Sequence, residues 1–232
     1  MSIHDGHRER LRERFRREGL DNFDELYVLE LLLFYCVPRK DTNLLAHQLL
    51  SHFGSLTAVL DANPEELEKV EGVGSGVSTF LSLITQVGRY YQVKRSEPGA
   101  ILRTIEQCGN YLVPYFYGRE IETVFLLCLD AKCKVLCCKK VGEGSVNSAN
   151  IPVRRIVEIA LGANATTVVL AHNHPSGLAI PSADDVQTTQ RIAAALEAVE
   201  ISLADHIVVS GDDFVSIVQS QYYKPNDICA VR

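Results

Sequence analysis

The stretch Ala171-His172-Asn173-His174-Pro175-Ser176-Gly177, followed after four residues by Ser182-Ala183-Asp184-Asp185, concentrates the side chains with the most chemistry to offer. Two histidines two apart on an extended strand point to the same face and can hold one ion between their imidazoles. Pro175-Ser176-Gly177 reverses the chain. The chain then comes back to a helix start, where Asp185 in the first turn can supply a carboxylate oxygen. Two His and one Asp leave a fourth tetrahedral position open, the arrangement of a catalytic rather than a structural zinc. Each piece alone has a plainer reading. A lone histidine at a strand end is usually just hydrogen-bonded, and Ser182-x-x-Asp185 is also a helix N-cap with an acidic first turn. Their conjunction, in a chain with only 7 His, favours the ion.

The elements that must position these residues are readable from pattern. Thr166 to Ala171 is β-rich, Ala183 to Val199 has helical spacing, and Ile201 to Ser210 reads as a strand closed by Gly211-Asp212. Upstream, Glu122 to Leu129 is a buried-strand run, Asp130-Ala131-Lys132 a turn, and Cys133 to Cys138 the returning strand. Val153 to Leu161 suits a helix ended by Gly162. Residues 100–232 therefore form an α/β or α+β domain.

Residues 1–95 read as helical throughout, with helices over about 6–18, 25–36 and 43–53. Asn63-Pro64-Glu65-Glu66 supplies an N-cap, a proline at the first helical position and acids in the first turn. That helix runs into Glu71-Gly72-Val73-Gly74-Ser75-Gly76, and Val77 to Tyr91 continues as another. Two helices joined by Gly72-Val73-Gly74 resemble a helix-hairpin-helix unit, whose free turn amides receive a DNA phosphate. A tight turn that only packs two helices explains the same residues. Lys94 to Gly99 is the best linker between the two parts.

Composition sets outer limits. A 232-residue chain that is 47% hydrophobic and 22% charged is globular, and its net charge of −6 offers no broad basic surface for nucleic acid. Residues 1–95 carry 12 basic against 14 acidic side chains, a net −2. Glu9, Glu13 and Glu18 offset the arginines at 8, 10, 12, 14, 16 and 17 as helix-surface partners. No apolar run reaches the roughly 20 residues that span a bilayer, and no secretory h-region opens the chain, so the expected location is cytoplasmic. Seven cysteines with no CxxC pair, set mostly among apolar neighbours, read as reduced buried thiols. Adjacent Cys137 and Cys138 would point to opposite faces of a strand and cannot share an ion.

His172-x-His174, seven residues, then Ser182-x-x-Asp185 resembles the JAMM (MPN+) metalloprotease pattern. The words His172-Asn-His-Pro-Ser-Gly177, Pro181-Ser182-x-x-Asp185 and Leu203-Ala-Asp205-His206-Ile207 look like the RadC group within it. The helical region before them is similar to that group as well. The resemblance implies a JAMM/MPN-like C-terminal domain with a mixed sheet flanked by helices, and an all-α N-terminal domain with a helix-hairpin-helix-like turn. It implies Zn2+ held by His172, His174 and Asp185, with Ser182 near the oxyanion or serving as the N-cap. It also implies an upstream general acid/base, for which Glu122 at the start of its strand is the choice over Glu120, Glu143 and Glu158. Many RadC-like chains read Pro-Arg-Glu where this one has Val153-Arg154-Arg155, so a glutamate of the group is missing there. Asp205 and His206 are expected to lie behind the ligands, the Asp205 carboxylate accepting the free ring N–H of a zinc-bound histidine. The implied function is a zinc metallohydrolase acting on an amide or isopeptide bond. The alternative is a DNA-repair-associated protein that binds DNA through its N-terminal domain, with an inactive or structural metal site. Neither an HExxH motif nor the zinc-deaminase signature is present.

Overall fold

The computed structural model describes residues 3–38, 41–95, 99–144, 152–175 and 177–220. The chain divides into two compact units, Met1–Gly88 and Arg89–Arg232.

Polar N-caps start four helices of the first unit. Asp24 accepts from the Tyr27 amide to open α2 (Glu25–Cys36), and Asp41 accepts from Asn43 and Leu44 to open α3 (Thr42–Phe53). Helix α1 (Ile3–Glu18) precedes them, and its arginines pair with Glu9 and Glu18 on the surface. Such exposed pairs contribute little stability, so burial of Leu29, Leu33, Leu49, Val59, Leu67 and Leu81 does most of the work. Ser55 caps α4 (Leu56–Asp61), a six-residue helix too short to show a period in the sequence. Asn63 caps α5 as expected, accepting from the Glu66 amide. However, α5 is the single turn Pro64–Leu67 and not a helix reaching Glu71. Helix α6 (Ser75–Arg95) is longer than Val77 to Tyr91 and takes in Lys94 and Arg95 from the expected linker, whose residues 96–98 lie outside the described ones.

The second unit is built on a mixed five-stranded sheet flanked by helices. Its strands are β1 (Thr123–Leu129), β2 (Val135–Glu143), β3 (Thr167–Asn173), β4 (Ser202–Ser210) and β5 (Asp213–Ser216), in the order β2-β1-β3-β4-β5. Only β3 and β4 are parallel, joined through α9 (Ala183–Glu197). Strand period sorts the core into two layers. Val124, Leu126, Val168 and Leu170 face α8 (Val153–Gly162) and α9, while Phe125, Leu127, Val169 and Ala171 face α7 (Ile105–Leu112). Cys137 packs in the first layer and Cys138 in the second, on opposite faces as expected. All six described cysteines are free thiols, and Cys229 lies outside the described residues. Burial pushes the Cys128 thiol up to about 12, so it is a poor nucleophile at neutral pH. The strand β5 was not anticipated, because four residues after a Gly-Asp turn carry no alternation of their own.

Where α7 meets β5, the Phe214 ring occupies the space a side chain at Gly109 would need. A Cβ built on Gly109 would overlap Cζ and Cε2 of Phe214. Gly109→Ala is expected to destabilise the protein by about 1–3 kcal/mol through this overlap, read by urea denaturation. Adding Phe214→Leu should recover part of that loss, since the clash is with the ring.

Candidate metal centre

The chemistry gathers where β3 ends. His172 and Asn173 are its last residues, and His174 follows with its amide donating to the Val209 carbonyl of β4 at 2.8 Å. The two-residue spacing puts both imidazoles on one side, with His172 Nε2 and His174 Nε2 3.0 Å apart. Ser182 caps α9, its Oγ accepting from the Asp185 amide at 3.1 Å. The Asp185 carboxylate closes a capping box through Oδ2, which accepts from Ser182 N at 2.7 Å and from Ser182 Oγ at 2.6 Å. The carboxylate also faces the histidines, with Oδ1 3.4 Å from His172 Nε2 and Oδ2 3.7 Å from His174 Nε2. In this arrangement the Ser182 hydroxyl proton is committed to Asp185.

Antiparallel pairing brings the fourth residue in. Val124 stands opposite His172, so the register carried two residues further places Glu122 opposite His174. A Glu122 carboxylate oxygen and one ring nitrogen of each histidine all lie within 4.8 Å of one another. Glu122 sits one residue ahead of β1 and not within the strand as read from sequence. Asn173, whose side chain lies on the other face of β3 from the histidines, clamps that segment. Its Oδ1 accepts from Thr123 N at 2.8 Å, and its Nδ2 donates to the carbonyls of Arg119 and Ile121 at 3.3 and 3.4 Å. Sequence reasoning passed over Asn173 because its partners are main-chain atoms about 50 residues away.

The donor set fits a small tetrahedral cation. Two donors of a zinc ion with bonds of about 2.0–2.1 Å sit about 3.3 Å apart, and the observed separations are 3.0 Å between the histidines and 3.4 and 3.7 Å from them to the nearer Asp185 oxygens. The Leu178 carbonyl accepts from His174 Nδ1 at 3.1 Å, which leaves Nε2 as the ring atom turned to His172. Burial lowers the pKa of His172 to about 4, partly opposed by Asp185 and reinforced by His174, so this ring is neutral at pH 7. Two ring nitrogens and a carboxylate converging in this way can serve together as donors to one cation.

One expectation is overturned. Asp205 does not accept from a histidine of the centre: its Oδ1 takes the amides of His206 and Val218 at 2.7 and 3.3 Å. The ring that meets His172 belongs to His206, its Nε2 2.8 Å from His172 Nδ1. The cause is a bulge in β4. Val168 pairs with Leu203 but Val169 with Asp205, so one extra residue enters the strand and the alternation of faces shifts by one. Asp205 is consequently buried away from the centre, where desolvation raises its pKa to about 6.

A family model described as the RadC-like JAB domain matches residues 102–222, the whole of the sheet and both histidines included. The chain belongs to the RadC family. A UPF0758 protein of Fusobacterium nucleatum subsp. nucleatum is similar to it, 33% identical over 221 residues that cover 92% of this chain and 95% of that protein. The RadC-like match begins at Leu102 and so leaves the first unit outside it. There the Gly72-Val73-Gly74 turn follows the single-turn α5, with Gly72 at φ +92° and Val73 buried in the helical core. Glu71 is exposed beside that turn. Among the described residues, no helix is long and apolar enough to cross a membrane.

Proposed function

We propose that this RadC-family protein is a zinc-dependent hydrolase of JAMM type, cleaving an amide or isopeptide bond. The convergence of His172 Nε2, His174 Nε2 and the Asp185 carboxylate, with the Glu122 carboxylate alongside, carries the reading. His172, His174 and Asp185 would hold a zinc ion, which would supply Lewis acidity and lower the pKa of a bound water to about 7. Glu122 takes the proton of the attacking water and returns it to the departing amine, a role that needs a carboxylate one water away from the donors, as its 4.8 Å reach allows. Ser182 holds the Asp185 carboxylate in its rotamer through two hydrogen bonds to Oδ2. Asn173 holds the backbone on both sides of Glu122, at Ile121 and Thr123.

Two results follow. Protein purified without chelator is expected to contain about one zinc per chain and to cleave members of a pool of peptides and isopeptides. Cleavage should stop on chelation and return on adding zinc; cleavage that survives chelation refutes the reading. Asn173→Ala is expected to leave zinc content unchanged and lower the turnover rate by about 10²-fold, because a displacement of about 1 Å at the base is enough. It should also cost about 1–3 kcal/mol of stability, since the buried Thr123 amide loses its acceptor.

A further inference from the structure

The hydrogen bonds behind His172 run in one direction, and the direction is fixed at its far end. Thr189 Oγ1 lies 2.6 Å from the main-chain oxygen of Asp185 and 2.6 Å from His206 Nδ1. A carbonyl oxygen only accepts, and a threonine hydroxyl has one proton, so that proton goes to Asp185 O. Thr189 Oγ1 must then accept from His206, which places the His206 proton on Nδ1. In a neutral ring Nε2 is bare, and it faces His172 Nδ1 at 2.8 Å. His172 therefore donates from Nδ1, and its own Nε2 is left as a lone pair aimed at His174 Nε2 and Asp185 Oδ1. Thr189 and His206 are fully buried and His172 nearly so, which shields the links from competing water.

We infer that Thr189 and His206 are positioning residues of the metal centre: the buried relay from Asp185 O through Thr189 and His206 to His172 fixes the tautomer that turns His172 Nε2 toward the ion. The inference rests on the zinc reading above for its purpose, but the tautomer it assigns is independent of that reading. The relay begins at the backbone of one donor residue and ends on the ring of another. It thereby also ties the start of α9 to the end of β3 by way of β4. Metal-bound histidines are commonly oriented by a carboxylate or a carbonyl. Here the same task falls to an imidazole whose own tautomer is set by a hydroxyl.

The test uses the full-length protein. Nitrogen chemical shifts of the histidine rings in metal-stripped wild type should show His172 and His206 both protonated at Nδ1. A proton on Nε2 of either neutral ring overturns the inference, whether or not metal binds. Zinc affinity is then measured by competition with a chromophoric chelator. Thr189→Val keeps the shape and removes the lock, and should weaken zinc by about 10–100-fold. Thr189→Ser restores the hydroxyl and should bring affinity back to within a few-fold of wild type. Equal affinity in wild type and Thr189→Val overturns the relay while leaving the zinc reading intact. No zinc binding by wild type overturns that reading, and the ring shifts still decide the tautomer. If Thr189→Val does not fold, His206→Gln replaces it: its amide oxygen can still accept from His172 but is not held by Thr189. Its affinity should fall between those of wild type and His206→Leu, and equal affinity in all three overturns the relay.

Discussion

Glu122→Gln is expected to retain one zinc per chain and to lose about 10²–10⁴-fold in hydrolysis rate, the range over which general acid/base groups act. Glutamine keeps the shape of the side chain and its capacity to hydrogen-bond water, but it cannot accept a proton. The three donors assigned to the ion do not include Glu122, so elemental analysis should not distinguish the variant from wild type. Loss of zinc along with activity would instead make Glu122 a ligand, which its position within 4.8 Å of both ring nitrogens permits. Unchanged activity would remove it from the reaction. The alternatives weighed from sequence are poorly placed to take over. Glu143 is exposed and paired with Lys140 at 2.8 Å, and Glu158 is exposed and paired with Arg154 at 2.8 Å.

The double variant His172→Ala/His174→Ala is expected to carry no stoichiometric metal, a larger loss than the 10–100-fold that outer partners of a metal site cost. One donor oxygen from Asp185 is too few to hold zinc against water and buffer. The same difference should appear in thermal unfolding. An ion that binds only the folded state adds about 4 kcal/mol at a free concentration 1,000 times its Kd. Wild type should therefore gain melting temperature with zinc, and the double variant should show no gain. Zinc bound equally by both proteins would place the ion elsewhere in the chain and leave the His-x-His segment as scaffold.

Much of this centre was legible in sequence because it is local. A period of two puts His172 and His174 on one side of a strand whatever the rest of the fold does. Ser182 and Asp185 are three apart, the spacing at which an N-cap and the third helical residue exchange hydrogen bonds, and the capping box is present. The same locality explains the agreement of α2, α3 and α8 with their expected spans, and the division of Cys137 and Cys138 between the two core layers. The one-turn α5 shows the opposite case. Its Asn63 cap and Pro64 are correct helix-start signals, but a start signal says nothing of where packing stops a helix.

The residues around the ligands depended on pairing across the sheet. Glu122 reaches the histidines because β1 lies antiparallel to β3 in a register that sets Val124 against His172. Asn173 became a clamp only when Thr123 and Ile121 were brought to it by that same pairing. The choice between Asp205 and His206 turned on one bulge: regular alternation from Leu203 would have turned Asp205 toward His172, and the extra residue turned His206 there instead. By itself the sequence determined the His172-x-His174 and Ser182-x-x-Asp185 segments, because spacing along one strand or one helical turn obeys a fixed period. Only the tertiary structure decided that Glu122 lies beside the histidines, that Asn173 clamps its segment and that His206 stands behind His172, because strand register and bulges are settled by contacts between segments far apart in the chain.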